Sequence, residues 1–126
     1  MVLVDTSVWI SHFREGNAGL ANLLNNGEVA CHPFIVGELA CGNLKNRTAI
    51  LSLLESLPTT IVAEHEEILV FIENNRIMGK VLGYVDIHLL ASALLTRVPI
   101  WTLDKRLEQV ADVFHLSRLN QNIRQS

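Results

Sequence analysis

The sequence predicts a three-layer α/β/α fold around a mostly parallel sheet, and three observations carry that expectation. Short runs of β-branched and other apolar residues alternate with stretches whose apolar residues recur at helical spacing, the pattern of units whose helices cover both faces of a parallel sheet. Two of the apolar runs stop at an acid: Met1–Val4 at Asp5 and Pro99–Leu103 at Asp104. The chain has 126 residues, 49% of them hydrophobic, which fills one core and would starve a second. A single domain over residues 1–126 is expected, with the polar stretch Asn120–Ser126 as a frayed tail.

Taken in order, Met1–Val4 reads as a buried strand. Asp5, Thr6 and Ser7 are cap-type residues, and Val8, Trp9, Ile10 and Phe13 follow at helical spacing. Ala18–Asn26 repeats that spacing through Leu20, Leu23 and Leu24, and Asn26-Gly27 supplies a left-handed stop before a strand at Glu28–Cys31. A helix from Pro33 to Cys41 starts on a proline suited to a first turn and places Glu38 on the same side as Phe34 and Ile35. Asn46–Leu57 is an amphipathic helix closed by Pro58, Thr59–Val62 a short strand, and Glu64–Met78 a long helix followed by Gly79 and Gly83. Asp86 stands before the clearest helical stripe, Ile87, Leu90, Ala91, Leu94 and Leu95. Pro99–Leu103 is a strand, Leu107–Ala111 a short helix, and Val113–Leu116 a final edge strand.

Composition excludes several classes. Only 18% of residues are charged and the mean hydropathy is +0.29, so the chain is not intrinsically disordered. Acids interrupt the apolar stretches before they reach the ~20 residues a bilayer needs, so neither a membrane span nor a signal peptide is expected. Cys31 and Cys41 fit no close zinc spacing and read as reduced core thiols of a cytoplasmic protein. His12, His32, His65, His88 and His115 form no pair at ligand spacing and read as surface or partly buried residues.

Four acids carry the chemistry. Ligand sites of parallel α/β sheets lie beyond the carboxyl ends of the strands, where Asp5 and Asp104 fall. If Asp86 at its helix start and Glu38 on its helix side face the same rim, four carboxylates meet there, and their mutual repulsion calls for a divalent cation. Oxygen ligands select a hard ion, Mg²⁺ or Mn²⁺. Each acid alone has a plainer reading: Asp5, Asp86 and Asp104 as helix caps or turn residues, Glu38 as half of an ion pair.

The segments Val4-Asp5-Thr6-Ser7-Val8-Trp9, Gly37-Glu38-Leu39, Tyr84-Val85-Asp86-Ile87-His88-Leu89-Leu90-Ala91-Ser92-Ala93-Leu94 and Trp101-Thr102-Leu103-Asp104 resemble the successive motifs of PIN-domain ribonucleases, over residues 1 to about 116. Within that group they look like VapC-type toxins of bacterial toxin–antitoxin pairs. The resemblance implies a metal-dependent endoribonuclease with Asp5, Glu38, Asp86 and Asp104 as its catalytic and metal-binding acids. It implies hydroxyls of Thr6, Ser7 or Thr102 that orient those ligands, a homodimer, and a VapB-type antitoxin that connects the protein to DNA only indirectly. Lys105-Arg106-Leu107 after Asp104 departs from the continuation of many relatives.

A net charge of −3 does not announce a nucleic-acid binder, but two bound Mg²⁺ would bring it to +1. An RNA substrate, including a structured one such as tRNA, is then compatible, with Arg76, Lys80, Lys105 and Arg106 as candidate phosphate contacts. Trp9, Ile10, Phe13, Leu20, Leu24, Leu51 and Leu54 exceed what the early helices need for a small core and could line a groove for an antitoxin helix or a dimer patch. The competing readings are a catalytically idle PIN-fold RNA-binding or scaffold domain, and a phosphoacceptor. The phosphoacceptor is disfavoured because a receiver needs an acidic pair at the first strand end, and an aspartyl phosphatase needs Asp where Ser7 stands.

Overall fold

In the computed structural model, residues 1–118 are described; the tail expected at Asn120–Ser126 lies outside them. Three parallel strands, β1 (Val2–Val4), β2 (Val29–Ala30) and β3 (Ile100–Trp101), form a sheet in the order β2-β1-β3. Val2 pairs with Val29 and Leu3 with Ala30 on one side; Leu3 pairs with Ile100 and Val4 with Trp101 on the other. Seven helices accompany the sheet among the described residues: α1 (Thr6–Glu15), α2 (Ala18–Asn25), α3 (Pro33–Ala40), α4 (Arg47–Ser56), α5 (His65–Asn75), α6 (Tyr84–Thr96) and α7 (Lys105–Val113). This is the expected α/β architecture with β1 at its centre, so the turn after β1 opens in the middle of the sheet's carboxyl rim.

The two further strands expected from the sequence are each reduced to one parallel bridge, Cys31 with Thr59 and Ile100 with Ser117. Pro58 has no N–H to extend the first ladder, and Ile61 and Val62 point to solvent. Val113 instead closes α7, whose buried stripe is Leu107, Val110, Ala111 and Phe114. That helix also begins earlier than expected, at Lys105.

α5 stops at Asn75 rather than Met78, because Arg76 turns left-handed (φ 52) and Ile77 N–H reaches back to Ile72 O at 3.1 Å. Arg97 (φ 61) and His115 (φ 59) end their helices in the same way. Glycine usually fills such caps, so without it nothing in the local sequence marks these stops. Val81, in the loop before α6, is also left-handed at φ 61, which is unusual for a β-branched residue. Val81→Gly is therefore expected to stabilise the chain by about 1 kcal/mol, since relief of 1–2 kcal/mol of backbone strain exceeds the added freedom of the unfolded chain. Urea denaturation checks it.

The core centres on Leu3, Trp9, Leu20, Ile35, Leu90 and Ile100, all completely buried. α6 is buried on every side from Ile87 to Ala93, whereas Leu94 and Leu95 are 42% and 45% exposed. The expected stripe through those two leucines therefore does not hold along the whole helix, because its last turn runs out from under its neighbours. Of the early-helix apolar set, Trp9, Leu20 and Leu54 are interior, while Ile10 is exposed and Phe13, Leu24 and Leu51 are partly buried.

Two further expectations are corrected. Cys41 is exposed; only Cys31 is a core thiol, its pKa pushed up by burial. His32 and His88 are buried outright, rather than surface or partly buried. His32 is the N-cap of α3: its Nδ1 accepts the Phe34 N–H at 3.0 Å, which leaves the proton on Nε2 to donate to Ser92 Oγ at 3.1 Å.

Candidate active site

Asp5 follows β1 directly and occupies the N-cap position of α1, yet its side chain makes no capping hydrogen bond. The residue is only 7% exposed, and its carboxylate instead reaches toward the turn after β3. Ser7 Oγ and Thr102 Oγ1 donate to the same oxygen, Oδ2, at 2.8 and 2.7 Å. Each of those hydroxyls also accepts a backbone N–H from the turn after β3: Leu103 N–H to Ser7 at 3.0 Å and Asp104 N–H to Thr102 at 3.0 Å. The turn ends of β1 and β3 are thereby locked together, with Asp5 Oδ1 the carboxylate oxygen that these hydroxyls leave over. Thr102→Val keeps the shape but strands the Asp104 N–H, and is expected to cost about 1–3 kcal/mol in denaturant melts.

Asp104 is the N-cap of α7, its Oδ1 accepting Arg106 N–H at 2.8 Å and Leu107 N–H at 3.2 Å. The cap reading of this residue is correct, and it leaves the second oxygen uncommitted by the cap. Asp86 lies inside the first turn of α6 rather than before it, because the helix starts at Tyr84. Its Oδ2 accepts the Gly83 N–H at 3.4 Å. Glu38 sits on α3, where its Oε1 accepts from Thr6 Oγ1 at 2.9 Å. The partner of Glu38 is therefore a hydroxyl on α1 and not the Lys or Arg that a simple ion pair would supply.

The four acids share one electrostatic neighbourhood. The Asp86 pKa is raised, chiefly by burial of its carboxyl; the Gly83 N–H opposes this, and the charges of Asp5, Asp104 and Glu38 each add a smaller push upward. All three of these charges belong to carboxylates, and all three oppose its ionisation. No three His, Cys, Asp or Glu side chains among the described residues are close enough to enclose an ion directly. Mg²⁺ commonly takes only one or two carboxylates and keeps several waters, so acids spaced around an open cleft still fit a hydrated hard ion. Nitrogen or sulfur ligands for zinc are missing from this set.

Two grooves lie apart from Asp5, Asp86 and Asp104, none of which lines either. One, of about 680 Å³, has Glu38 on its wall and is lined by Ile10, Phe13, Leu39, Leu44 and Ile50, with Arg14 and Lys45 beside them. The other, of about 530 Å³, brings together Arg76, Lys80 and Arg106; Lys105 is exposed but is not part of its lining.

The chain matches the PIN domain over residues 2–113. It is 46% identical over 109 residues to proteins named Ribonuclease VapC32 from two Mycobacterium tuberculosis strains, CDC 1551 / Oshkosh and ATCC 25618 / H37Rv, covering 86% of this chain and 88% of each relative. The chain belongs to the PIN-domain family, VapC type. In this PIN domain the four acids of the motif segments stand in the turn after β1, on α3, in the first turn of α6 and in the turn after β3. Among the described residues no helix is long and apolar enough to cross a membrane.

Periodicity missed a part-exposed aromatic file beside the cleft. Phe34 and Tyr84 each lie edge-on against buried His88, with ring centroids 4.7 Å apart, and the Tyr84 hydroxyl meets His65 Nδ1 at 2.6 Å. Phe34 and Glu38 are one turn apart on α3, as Tyr84 and His88 are on α6, a spacing that could have revealed the file.

Proposed function

We propose that this PIN domain is a Mg²⁺- or Mn²⁺-dependent endoribonuclease and the toxin of a toxin–antitoxin pair. The observation that carries this reading is Asp5: a nearly buried carboxylate, clasped by two hydroxyls and not spent on its own helix cap, beside three further acids with which it shares one field. A nearly buried acid whose side chain is not used by its own helix is accounted for by a cation-binding role. The named relatives support RNA as the substrate.

Asp5 and Asp86 would be the chief residues holding a hydrated ion, with Asp104 completing its shell or holding one of its waters. Bound there, it would lower the pKa of a water and neutralise the phosphate. The chain's own residues do the positioning. Ser7 and Thr102 fix the Asp5 carboxylate, and Thr6 aims Glu38, which stands at the exposed rim to accept the proton of the attacking water. The phosphodiester P–O bond breaks as the water oxygen bonds to phosphorus, and the departing oxygen takes up a proton.

The apolar groove beside Glu38 would receive a helix of a VapB-type antitoxin, and a partner arginine placed among the acids would satisfy the charges that the ion otherwise balances. A cytoplasmic homodimer completes the reading.

The test is cleavage of RNA by the purified chain with Mg²⁺ or Mn²⁺, with and without chelator, using Asp5→Asn as the blank and sequencing the cut ends. Metal-dependent cuts absent from the blank support the reading, and equal cleavage by both proteins overturns it. Thr102→Val should retain 1–10% of the rate, as loss of a carboxylate's supporting hydrogen bond typically costs about 10–100-fold.

A further inference from the structure

The second groove is a convergence that the acid cleft does not explain. Arg76 comes from the end of α5, Lys80 from the loop before α6, and Arg106 from the first turn of α7, yet all three line one concavity. No Asp or Glu lines it, and Asn75 and Gln109 add amide donors. In a chain of net charge −3, an acid-free groove with three cations is a local reversal of sign. Its walls carry the two most exposed large apolar side chains among the described residues, Val113 at 75% and Val81 at 70%. Val81 is also the β-branched residue held left-handed.

Along the chain, the groove's elements lead to two of the four acids. Arg106 donates its backbone N–H to Asp104, and the loop carrying Lys80 and Val81 leads through Gly83 to Asp86.

We propose that this groove seats the backbone of the RNA strand, Arg76, Lys80 and Arg106 taking successive phosphates while Val81 and Val113 pack against unstacked bases or riboses. The assignment rests on the ribonuclease reading and adds to it the side from which substrate enters: along α5 and α7, away from the apolar groove beside Glu38. Single-stranded RNA is bound through the pairing of backbone charge with cations and the packing of splayed bases on apolar or aromatic surface, the two chemistries combined here.

Binding of a fluorescein-labelled single-stranded RNA is measured by anisotropy in chelator, where cleavage plays no part, for the parent chain and for the triple variant Arg76→Ala/Lys80→Ala/Arg106→Ala. The variant is expected to bind at least about tenfold more weakly at low salt. The slope of log K against log salt should fall by about 2, at ~0.7 per lost contact on a single strand. The charge-keeping variant Lys80→Arg/Arg106→Lys should restore most of the affinity. Because the three side chains are exposed, the melting temperature should not move, and in cleavage assays KM should rise with kcat unchanged.

Unchanged affinity and salt slope in the triple variant overturn the proposal, including the case in which the variant instead loses an acidic protein partner. Failure of the ribonuclease reading looks different: the parent chain then cuts no RNA with either metal, whatever the groove binds.

Discussion

Asp86→Asn is expected to reduce metal-dependent RNA cleavage by about 10³-fold or more while raising the melting temperature in chelator. The loss follows from the role assigned to this carboxylate: metal-held charge stabilisation is worth several kcal/mol in the transition state, and each 1.4 kcal/mol is tenfold in rate. The gain in stability follows from its surroundings. Burial and the charges of Asp5, Asp104 and Glu38 raise the Asp86 pKa above its ordinary value, so the ionised form is less favourable in the folded chain than in the unfolded one. That penalty is full at neutral pH and disappears as pH falls below the unfolded carboxylate range, where Asp86 is protonated in both states. The half-exposed setting limits the gain to roughly 4 °C or less. Scanning calorimetry of both proteins at pH 7 and pH 4 checks the sign: the difference should be smaller at the lower pH. A variant that melts lower at pH 7, or one that cleaves like the parent, contradicts the proposed centre.

The second large effect lies in the interior. Burial, and to a lesser extent the charge of His88, lower the His32 pKa to about 4. Its folded value is below its unfolded one, so the stability it contributes is complete above about pH 6.5 and is lost as pH falls from there toward 4. The chain should lose about 2 kcal/mol between pH 7 and pH 5 from this group alone. His88, also lowered by burial and by His65, acts in the same direction. His32→Ala removes most of this slope at a constant cost of about 2–4 kcal/mol, since it deletes the α3 cap and leaves Ser92 Oγ without the imidazole. Urea denaturation of both chains from pH 5 to 8 measures the two effects; parallel curves that differ only by an offset would place the pH dependence elsewhere.

The aromatic and acidic sides of α6 sharpen what these experiments separate. His88 follows Asp86 by two residues but packs into the Phe34–Tyr84 file, whereas Asp86 faces the carboxylates. Cleavage and acid stability should therefore respond to different substitutions: Asp86→Asn for the first, His32→Ala for the second.

The sequence by itself determined the order of the seven helices and three central strands and the family resemblance, because apolar periodicity is a local property and the motif segments are contiguous, but it also offered two strands that the fold does not form. It also located Asp5 and Asp104 at strand ends, since an apolar run that stops at an acid is visible without coordinates. Only the tertiary structure decided how those acids are used. Asp5 and Asp104 look alike as residues before a helix, but one caps α7 while the other is drawn off α1 by Thr102, 97 residues away. The helix ends at Arg76, Arg97 and His115 were unreadable for a related reason: no glycine marks them, and the left-handed turns are imposed by where Ile77, Val98 and Leu116 must go. The pairing of His32 with Ser92 across 60 residues, and of Arg76 and Lys80 with Arg106 in one groove, likewise depends on which side chains packing brings within reach. A pattern read along the chain carries no information about such distant partners.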